Sequence, residues 1–276
     1  MTKTDHIYQC LIQDILYHGE TITSRNGTVK RCFDLPTSTF DSTPLVTVRK
    51  TAWKKALREM EWFLSPSNVC PPELLDWWQE QLSPKNRYIG GYSDQLRFFS
   101  TPDEVFDQIE HLIQGIKHHP FSRRHVITTW NPADMHRITQ INSNDKTPTT
   151  CHNTITQFFV SENHYLSLKT YQRSADMLLG VPHNWIQTWA LLLWIANKTN
   201  TIPHKMLWTF GDAHIYQEPS HLEVAESISN LGLGVLDYSP RLYFDSASII
   251  NTFAANDFIM AGAIPEPIIT TRPKLL

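Results

Sequence analysis

The sequence Ile155-Thr-Gln-Phe-Phe-Val160, Ser161-Glu-Asn-His164, Tyr165-Leu-Ser-Leu-Lys-Thr-Tyr171 predicts two β-strands joined by a polar turn. Further strands are predicted over residues 125–130 and 206–210, on either side of this pair. The strands are therefore grouped in the middle of the chain and do not alternate regularly with helices. This pattern favours an α+β layered fold over a doubly wound parallel sheet.

Helices are predicted on both sides of the strand-rich region. In residues 51–64 apolar side chains recur at helical spacing, which predicts an amphipathic helix that carries Glu59. Thr101-Pro-Asp-Glu104 has the form of a capping box with proline in the first turn, and it predicts that a helix begins there. Residues 185–197 are almost wholly apolar and predict a buried helix, and residues 220–231 predict another.

The composition is that of a folded protein without a large net charge. Of 276 residues, 41% are hydrophobic and 18% are charged, which excludes disordered, collagen-like and coiled-coil chains. No repeat, low-complexity segment or linker divides the sequence, so we expect a single domain over residues 1–276. The balance of 24 Lys and Arg against 27 Asp and Glu argues against duplex nucleic acid as a partner.

The sequence signals neither export nor a metal site. The first residues are polar where a signal peptide would be apolar, and the longest apolar stretch, 190–196, is too short to span a bilayer. We therefore expect a cytoplasmic protein, in the host cytoplasm if the source is a virus, with no membrane contact. The 4 cysteines form no C-x-x-C pair and the 13 histidines show no metal-binding spacing, so we predict no disulfide framework and no metal.

A dense polar cluster, Lys169-Thr-Tyr-Gln-Arg-Ser-Ala-Asp176, ends one of the predicted strands beside a turn, where functional sites are often built. From the residues alone, Arg173 and Asp176 fit either such a site or a structural ion pair. Arg123 and Arg124 likewise fit either a solvated pair or a clamp for one phosphate group.

Cys151, followed by His152, is either an inert core thiol or a nucleophile activated by nearby cations. The ordered motifs around it resemble those of thymidylate synthases and the related pyrimidine nucleotide hydroxymethylases, over nearly the whole chain. The resemblance implies a layered α+β fold whose large mixed sheet packs at a dimer interface. The motifs that carry it are Pro44-Leu-Val-Thr-Val-Arg-Lys-Thr-Ala-Trp-Lys-Lys55, Glu59-Met-Glu-Trp-Phe-Leu64, Ser122-Arg-Arg124, Trp130-Asn-Pro132, Cys151-His152, Gln157-Phe-Phe-Val160, Tyr171-Gln-Arg-Ser-Ala-Asp-Met-Leu-Leu-Gly-Val-Pro-His-Asn184 and Gly211-Asp-Ala-His-Ile-Tyr216.

The resemblance implies a reaction and the residues that carry it out. Cys151, with His152 beside it, corresponds to the nucleophile that adds to C6 of the pyrimidine, and 5,10-methylenetetrahydrofolate is the co-substrate that supplies carbon to C5. Glu59 corresponds to the carboxylate that organises proton transfer at the base, and Tyr92 to a tyrosine that aids removal of the C5 proton. Asp176 corresponds to a carboxylate that contacts the folate.

Other positions match the family's binding residues for a pyrimidine deoxynucleoside monophosphate. Asn184 matches the base-reading position, where an amide pairs with uracil and cytosine-specific relatives carry aspartate. His214 and Tyr216 match the pair that hydrogen-bonds the sugar hydroxyl. The remaining substrate-binding positions are Gln172 and, at the phosphate, Arg25, Arg173 and Ser174, with Arg123 and Arg124 reaching across the interface of an obligate homodimer.

The sequence departs from the family pattern mainly on the folate side. The family's Trp-Asp-x-Trp is Leu75-Asp-Trp-Trp78 here, so Leu75 replaces the tryptophan that covers the folate while Trp78 is kept. The apolar C-terminal residues are replaced by Thr271-Arg-Pro-Lys-Leu-Leu276, and a polar loop, 139–146, precedes the nucleophile. Hydride transfer needs a dry, tightly packed cofactor, so these changes favour capture of the intermediate by water. They predict a dUMP hydroxymethylase that makes 5-hydroxymethyl-dUMP, which would suit a bacteriophage that modifies its DNA.

Three alternatives stay open: a thymidylate synthase that releases dihydrofolate, a dCMP hydroxymethylase, and a non-catalytic relative that binds nucleotide or RNA. Retention of Cys151 argues against the last. The segments 151–157 and 184–190 are each one residue longer than in the family, and a bulge could absorb each extra residue. If the second extra residue precedes the base-reading position, Trp185 occupies it instead of Asn184 and the preference for uracil no longer follows.

Overall fold

The structure is a computed structural model that describes residues 1–24, 27–101, 103–133, 153–232, 234, 238–244 and 252–274. The predicted site residues Arg25, Cys151 and His152 lie outside the described residues, as does the loop 139–146. The helices are α1 (Lys3–His18), α2 (Trp53–Leu64), α3 (Leu75–Trp78), α4 (Tyr92–Arg97), α5 (Gln108–His118), α6 (Val181–Thr199) and α7 (Pro219–Ser229). The strands are β1 (Glu20–Ser24), β2 (Gly27–Cys32), β3 (Ser38–Phe40), β4 (Phe99–Ser100), β5 (Val105–Phe106), β6 (Val126–Thr128), β7 (Asn153–Val160), β8 (Tyr165–Asp176), β9 (Ile202–Tyr216), β10 (Arg241–Phe244) and β11 (Phe258–Ala261).

One large mixed sheet forms the centre of the fold. Its 7 strands lie in the order β1-β2-β9-β8-β7-β6, with β3 also paired to β9. The pair β8 and β9 is parallel, and the other described pairs in this sheet are antiparallel. Together with the helices that cover it, this sheet confirms the predicted α+β class and the predicted pairing of β7 with β8.

Alternation along β8 determines which face of the sheet is covered. Leu166 and Leu168 are buried, whereas Lys169 is exposed on the opposite face. The apolar helix α6 packs on the buried side, where its Trp185 lies 4.8 Å from Phe40 between ring centroids. The sequence prediction of a buried helix there is confirmed, and the helix begins earlier, at Val181. Across the ranges described above, no helix is long and apolar enough to cross a membrane.

Strand β7 carries one more residue than its partner near its beginning. Asn153 pairs with Gln172 and Ile155 pairs with Tyr171, so Thr154 is the extra residue of a β-bulge. Its Oγ1 donates a hydrogen bond to the carbonyl of Tyr171 at 3.1 Å. A bulge is what the sequence predicts for the longer segment 151–157, of which the structure describes residues 153–157. The other longer segment, 184–190, lies within α6, which is an uninterrupted helix rather than a bulged one.

The helix predicted to begin at Thr101 begins at Gln108 instead. Thr101 does accept a hydrogen bond from the N–H of Glu104 at 3.0 Å, but this bond closes a turn between the paired strands β4 and β5. Asp107 caps the helix, because its side chain accepts from backbone N–H groups of the first helical turn. A second capping sequence therefore follows the first by six residues, and the pairing of apolar β5 decides between them.

Candidate active site

Glu59 lies on α2 with its side chain buried. Trp78 Nε1 donates a hydrogen bond to Glu59 Oε1, and Gln187 Nε2 donates one to Oε2. Burial raises the pKa of Glu59 to about 7, although both hydrogen bonds and the charge of Lys55 act in the opposite direction. A carboxyl group that titrates near neutral pH is suited to accept or release a proton during a reaction.

Side-chain amides connect the Glu59 carboxylate to the central sheet. Trp208 Nε1 on β9 donates to Gln172 Oε1 on β8 at 3.1 Å. Gln172 Nε2 donates to Asn184 Oδ1 at 3.0 Å, and Asn184 Nδ2 donates to Gln187 Oε1 at 3.3 Å. Because Gln187 also donates to Glu59, these side chains form one continuous hydrogen-bonded series, which we call the amide chain. It joins the predicted base-reading amide to the predicted proton-transfer carboxylate.

His214 and Tyr216 are two residues apart on β9, with ring centroids separated by 5.4 Å. His214 Nδ1 lies 3.2 Å from Asp212 Oδ1, and Arg31 forms an ion pair with Asp212 Oδ2 at 2.9 Å. Burial acts to lower the pKa of His214, but the hydrogen bond to Asp212 and the negative charges of Asp176 and Asp212 outweigh it and raise the pKa. Asp176 lies opposite His214 in the register of β8 and β9. The structure therefore groups the predicted sugar-binding pair with acidic side chains that favour a charged imidazole.

Asp176 and Arg173 do not form the structural ion pair considered from the sequence. Asp176 Oδ1 accepts hydrogen bonds from the N–H groups of Leu178 and Leu179, both at 2.9 Å, and so shapes the turn before α6. The guanidinium of Arg173 lies over the ring of Trp130, 5.0 Å from its centroid. Each of the two charged groups therefore has a separate contact at the polar end of β8.

The one-turn helix α3 carries Leu75 and Trp78 on the same side, because they are three residues apart. Trp78 is hydrogen-bonded to Glu59. Leu75 is partly buried and packs against the hydrophobic core. The ring of Trp77 lies against that of His183, with centroids 4.9 Å apart. The aromatic contact of Trp77 is therefore made with the first turn of α6.

His183, at the beginning of α6, is held as a neutral imidazole. Its Nδ1 donates to the carbonyl of Leu179 at 2.8 Å, and its Nε2 accepts from the N–H of Ala52 at 3.3 Å. Burial lowers the pKa of His183 to about 4, and the nearby positive charges of Arg49 and Lys55 act in the same direction. The side chain thus ties the beginning of α6 to the beginning of α2.

The C-terminal segment, as far as it is described, is held against α7 by polar contacts. Thr271 Oγ1 donates to Glu223 Oε1 at 2.9 Å, and the N–H of Lys274 donates to Ser220 Oγ at 3.1 Å. His221 Nε2 donates to the carbonyl of Lys274 at 2.8 Å. Polar contacts therefore hold the segment in which the sequence predicts a loss of apolar residues.

The other predicted residues are placed as follows. Tyr92 is buried and stacks on Phe63 of α2, with ring centroids 4.2 Å apart. Ser174 lies on β8, and its carbonyl accepts a hydrogen bond from Gln172 Nε2 at 3.1 Å. Arg123 and Arg124 are exposed just before the edge strand β6. Tyr92 is thus grouped with the helix of Glu59, whereas the two arginines lie at the edge of the sheet.

Sequence analysis missed Gln187 and Asp212 as parts of the site. Gln187 is a buried amide in a mostly apolar stretch of helix, three residues after Asn184, and this spacing puts both side chains on one side of the helix. That signal was present in the sequence. Asp212 lies inside the motif that contains His214, but its effect depends on a contact with Arg31 that no local pattern predicts.

Among the described residues, no group of three or more His, Cys, Asp or Glu side chains could hold a metal ion.

A family comparison agrees with the arrangement of the site. Residues 6–273 match the family model described as thymidylate synthase. Enzymes of this family are dimers that bind a pyrimidine nucleotide and use methylenetetrahydrofolate as a co-substrate. The chain therefore belongs to the thymidylate synthase family, and is an enzyme that transfers a one-carbon group from the folate to C5 of a pyrimidine nucleotide.

Proposed function

We propose that the protein is a deoxyuridylate hydroxymethylase, which makes 5-hydroxymethyl-dUMP from dUMP and 5,10-methylenetetrahydrofolate. The amide of Asn184, joined through Gln187 to the buried carboxyl of Glu59, supports a uracil base. An amide donates to O4 of uracil and accepts from its N3–H, whereas the ionised aspartate of cytosine-specific relatives only accepts and cannot donate to O4. The nucleotide side of the site therefore favours dUMP over dCMP.

The orientation of α6 supports Asn184, not Trp185, as the base-reading residue. Trp185 is fully buried and packs against Phe40 and Tyr8, with centroid distances of 4.8 and 6.0 Å. Asn184 instead extends toward Gln172 on the sheet. A side chain enclosed by core aromatic rings has no surface left for a substrate base.

The proposed reaction begins at Cys151, whose role is carried over from the family. Its thiolate adds to C6 of dUMP, and C5 then takes the one-carbon unit from the folate and loses its proton, which leaves an exocyclic methylene group on the base as tetrahydrofolate departs. Water adds to this methylene group, and elimination of the thiolate from C6 regenerates Cys151 and releases the product. Glu59 exchanges protons with the base and with water, and Tyr92 assists removal of the C5 proton.

Leu75 is the residue that favours hydroxymethylation over reductive methylation. A leucine covers less of a bound folate than an indole ring does, so water gains access to the exocyclic methylene group. Neither neighbouring tryptophan replaces the indole ring at position 75, because Trp77 packs on His183 and Trp78 is hydrogen-bonded to Glu59.

The uncovered face of the sheet supports a homodimer. Ile155, Phe159 and Tyr165 are 45%, 65% and 38% exposed on this face. Beside Phe159, Arg123 lines a shallow cleft of about 590 Å³. A second copy packed on this face would bury the apolar side chains and bring Arg123 and Arg124 toward the partner's nucleotide phosphate.

The test is incubation of the purified protein with methylenetetrahydrofolate and either dUMP or dCMP, with products identified by mass spectrometry and dihydrofolate followed by absorbance. A hydroxymethyl product from dUMP without dihydrofolate is the expected result. A methyl product with one dihydrofolate per turnover would instead identify a thymidylate synthase, and a product from dCMP alone would refute the role of Asn184. Cys151→Ala serves as the control that binds dUMP but forms no product.

A further inference from the structure

Gln187 is an almost fully buried amide at the middle of the amide chain, 1% exposed. Its Nε2 donates to the carbonyl of Ala56 at 3.0 Å and to Glu59 Oε2, so both of its hydrogens are used. Its Oε1 accepts from Asn184 Nδ2 at 3.3 Å. Among the described residues, Gln187 is therefore the side chain that is hydrogen-bonded to both the predicted base reader and the predicted proton-transfer group.

The two ends of the amide chain fix the direction of every amide between them. Trp208 Nε1 can only donate, so Gln172 turns Oε1 toward it and Nε2 toward Asn184. At the other end the carbonyl of Ala56 can only accept, so Gln187 turns Nε2 toward it and Oε1 toward Asn184. Asn184 is left with a single orientation, in which Oδ1 faces Gln172 and Nδ2 faces Gln187.

We propose that Gln187 is a positioning and specificity-determining residue, which holds Asn184 in the orientation that selects uracil and holds the Glu59 carboxylate against α6. This inference rests on the proposed use of both residues by a dUMP enzyme. An aspartate at position 184 would turn an oxygen toward Gln187 Oε1, where the amide nitrogen now lies at 3.3 Å, and two acceptors would meet. Gln187 cannot rotate to relieve this contact, because Ala56 needs its Nε2.

Gln187 also acts on the proton affinity of Glu59. Its hydrogen bond stabilises the charged carboxylate and so lowers the pKa of Glu59 against the larger, opposite effect of burial. Among the described residues, Lys55 on the same helix and Cys70 before α3 are the other titratable groups whose charge is coupled to this carboxyl. Removal of the Gln187 N–H therefore moves the titration of Glu59 to higher pH while those two groups stay in place.

The first experiment is a double-mutant cycle of Asn184→Asp, Gln187→Leu and the combined variant. Leucine removes the hydrogen bonds of Gln187 with little change in shape. The denaturant midpoint without ligand is expected to fall further for Asn184→Asp in the wild-type background than in the Gln187→Leu background. Gln187→Leu itself should weaken dUMP binding about five- to tenfold and narrow the preference for dUMP over dCMP.

The second experiment follows the indole N–H resonance of Trp78 through a pH titration, because this group donates directly to Glu59. Gln187→Leu should move the midpoint to higher pH. The matched control is Gln9→Leu, which removes a buried glutamine from α1 whose Nε2 donates to backbone carbonyls near the end of α7. The control should lower stability but leave the Trp78 titration unchanged.

Equal effects of Asn184→Asp in both backgrounds, or a Trp78 titration that Gln187→Leu leaves unmoved, would overturn the proposal. Neither measurement requires turnover. A wild-type protein that forms no hydroxymethyl product would therefore refute the proposed function alone, and the coupling between positions 184 and 187 would still support the positioning role.

Discussion

Replacement of Glu59 by glutamine should remove a specific part of the dependence of stability on pH. The carboxyl is buried, and its pKa is about 7 in the folded protein against 4.5 for the ordinary group. Between these values the folded state holds a proton that the unfolded chain releases. The free energy of unfolding contributed by Glu59 therefore falls as pH rises from 4.5 to about 7 and is level above that range.

The magnitude follows from the difference between the two pKa values. That difference corresponds to about 3 kcal/mol in total, since one pKa unit is equivalent to about 1.4 kcal/mol. Between about pH 5.5 and about pH 8.5, linkage predicts a loss of about 2 kcal/mol in the wild-type protein that the glutamine variant lacks. The variant also has a constant cost of about 1–3 kcal/mol, because Trp78 and Gln187 both donate and an amide offers only one oxygen to accept.

The assay is urea unfolding of both proteins at a series of pH values and at equal protomer concentration, monitored by tryptophan fluorescence. His183 and His214 titrate in both proteins, so their contributions cancel in the difference between the two curves. The difference in free energy of unfolding should shift by about 2 kcal/mol in favour of the variant as the pH rises across that window. A difference in free energy of unfolding that does not change with pH would refute a buried Glu59 carboxyl that holds its proton up to about neutral pH.

Three further outcomes are expected. Leu75→Trp should lower the KM for the folate about fivefold through aromatic packing, and should raise the dihydrofolate formed per product as water is excluded from the intermediate. Asp212→Asn should lower the pKa of His214, because a hydrogen bond and a negative charge that raise this pKa are removed. The measurement is an NMR titration of the imidazole, and an unchanged pKa would contradict the prediction. Gly211→Ala should reduce stability by about 1–3 kcal/mol in thermal unfolding, since a Cβ there would lie 2.6 Å from the carbonyl of Arg173; an unchanged melting temperature would argue against the close β8–β9 approach.

Local patterns correctly predicted those elements in which composition and the spacing of apolar residues indicate the same structure. Helix α6 is apolar over most of its length, and α2 has helical spacing that correctly places Glu59 on it. The predicted beginning of α5 was wrong because two capping sequences follow one another, and only the pairing of β4 with β5 selects the second. Whether such short segments pair as strands depends on their packing in the fold, which the two capping sequences alone do not report.

The site was predicted as a set of residues but not as a connected structure. The hydrogen bond from Gln187 to Glu59 joins residues 128 positions apart, and the ion pair from Arg31 to Asp212 joins residues 181 positions apart. Which polar side chains meet across such separations depends on how α2, α6 and the sheet pack together. The resemblance to the family supplied individual roles, whereas the amide chain follows only from the packing.

The two sides of the site are built from structures that differ in how readily they tolerate substitution. On the nucleotide side, Gln172 and Gln187 are each 1% exposed and hydrogen-bonded, so a change in either leaves a buried group unpaired at a cost of about 1–3 kcal/mol. On the predicted folate side, Leu75 belongs to a four-residue helix with no fully buried residue, and the C-terminal segment is attached by polar contacts near the surface. Substitutions there cost little stability. Under the proposed function, the fate of the intermediate can therefore change through the predicted folate side while the predicted pyrimidine-binding residues are retained, which fits a departure at Leu75 beside Glu59 and Asn184.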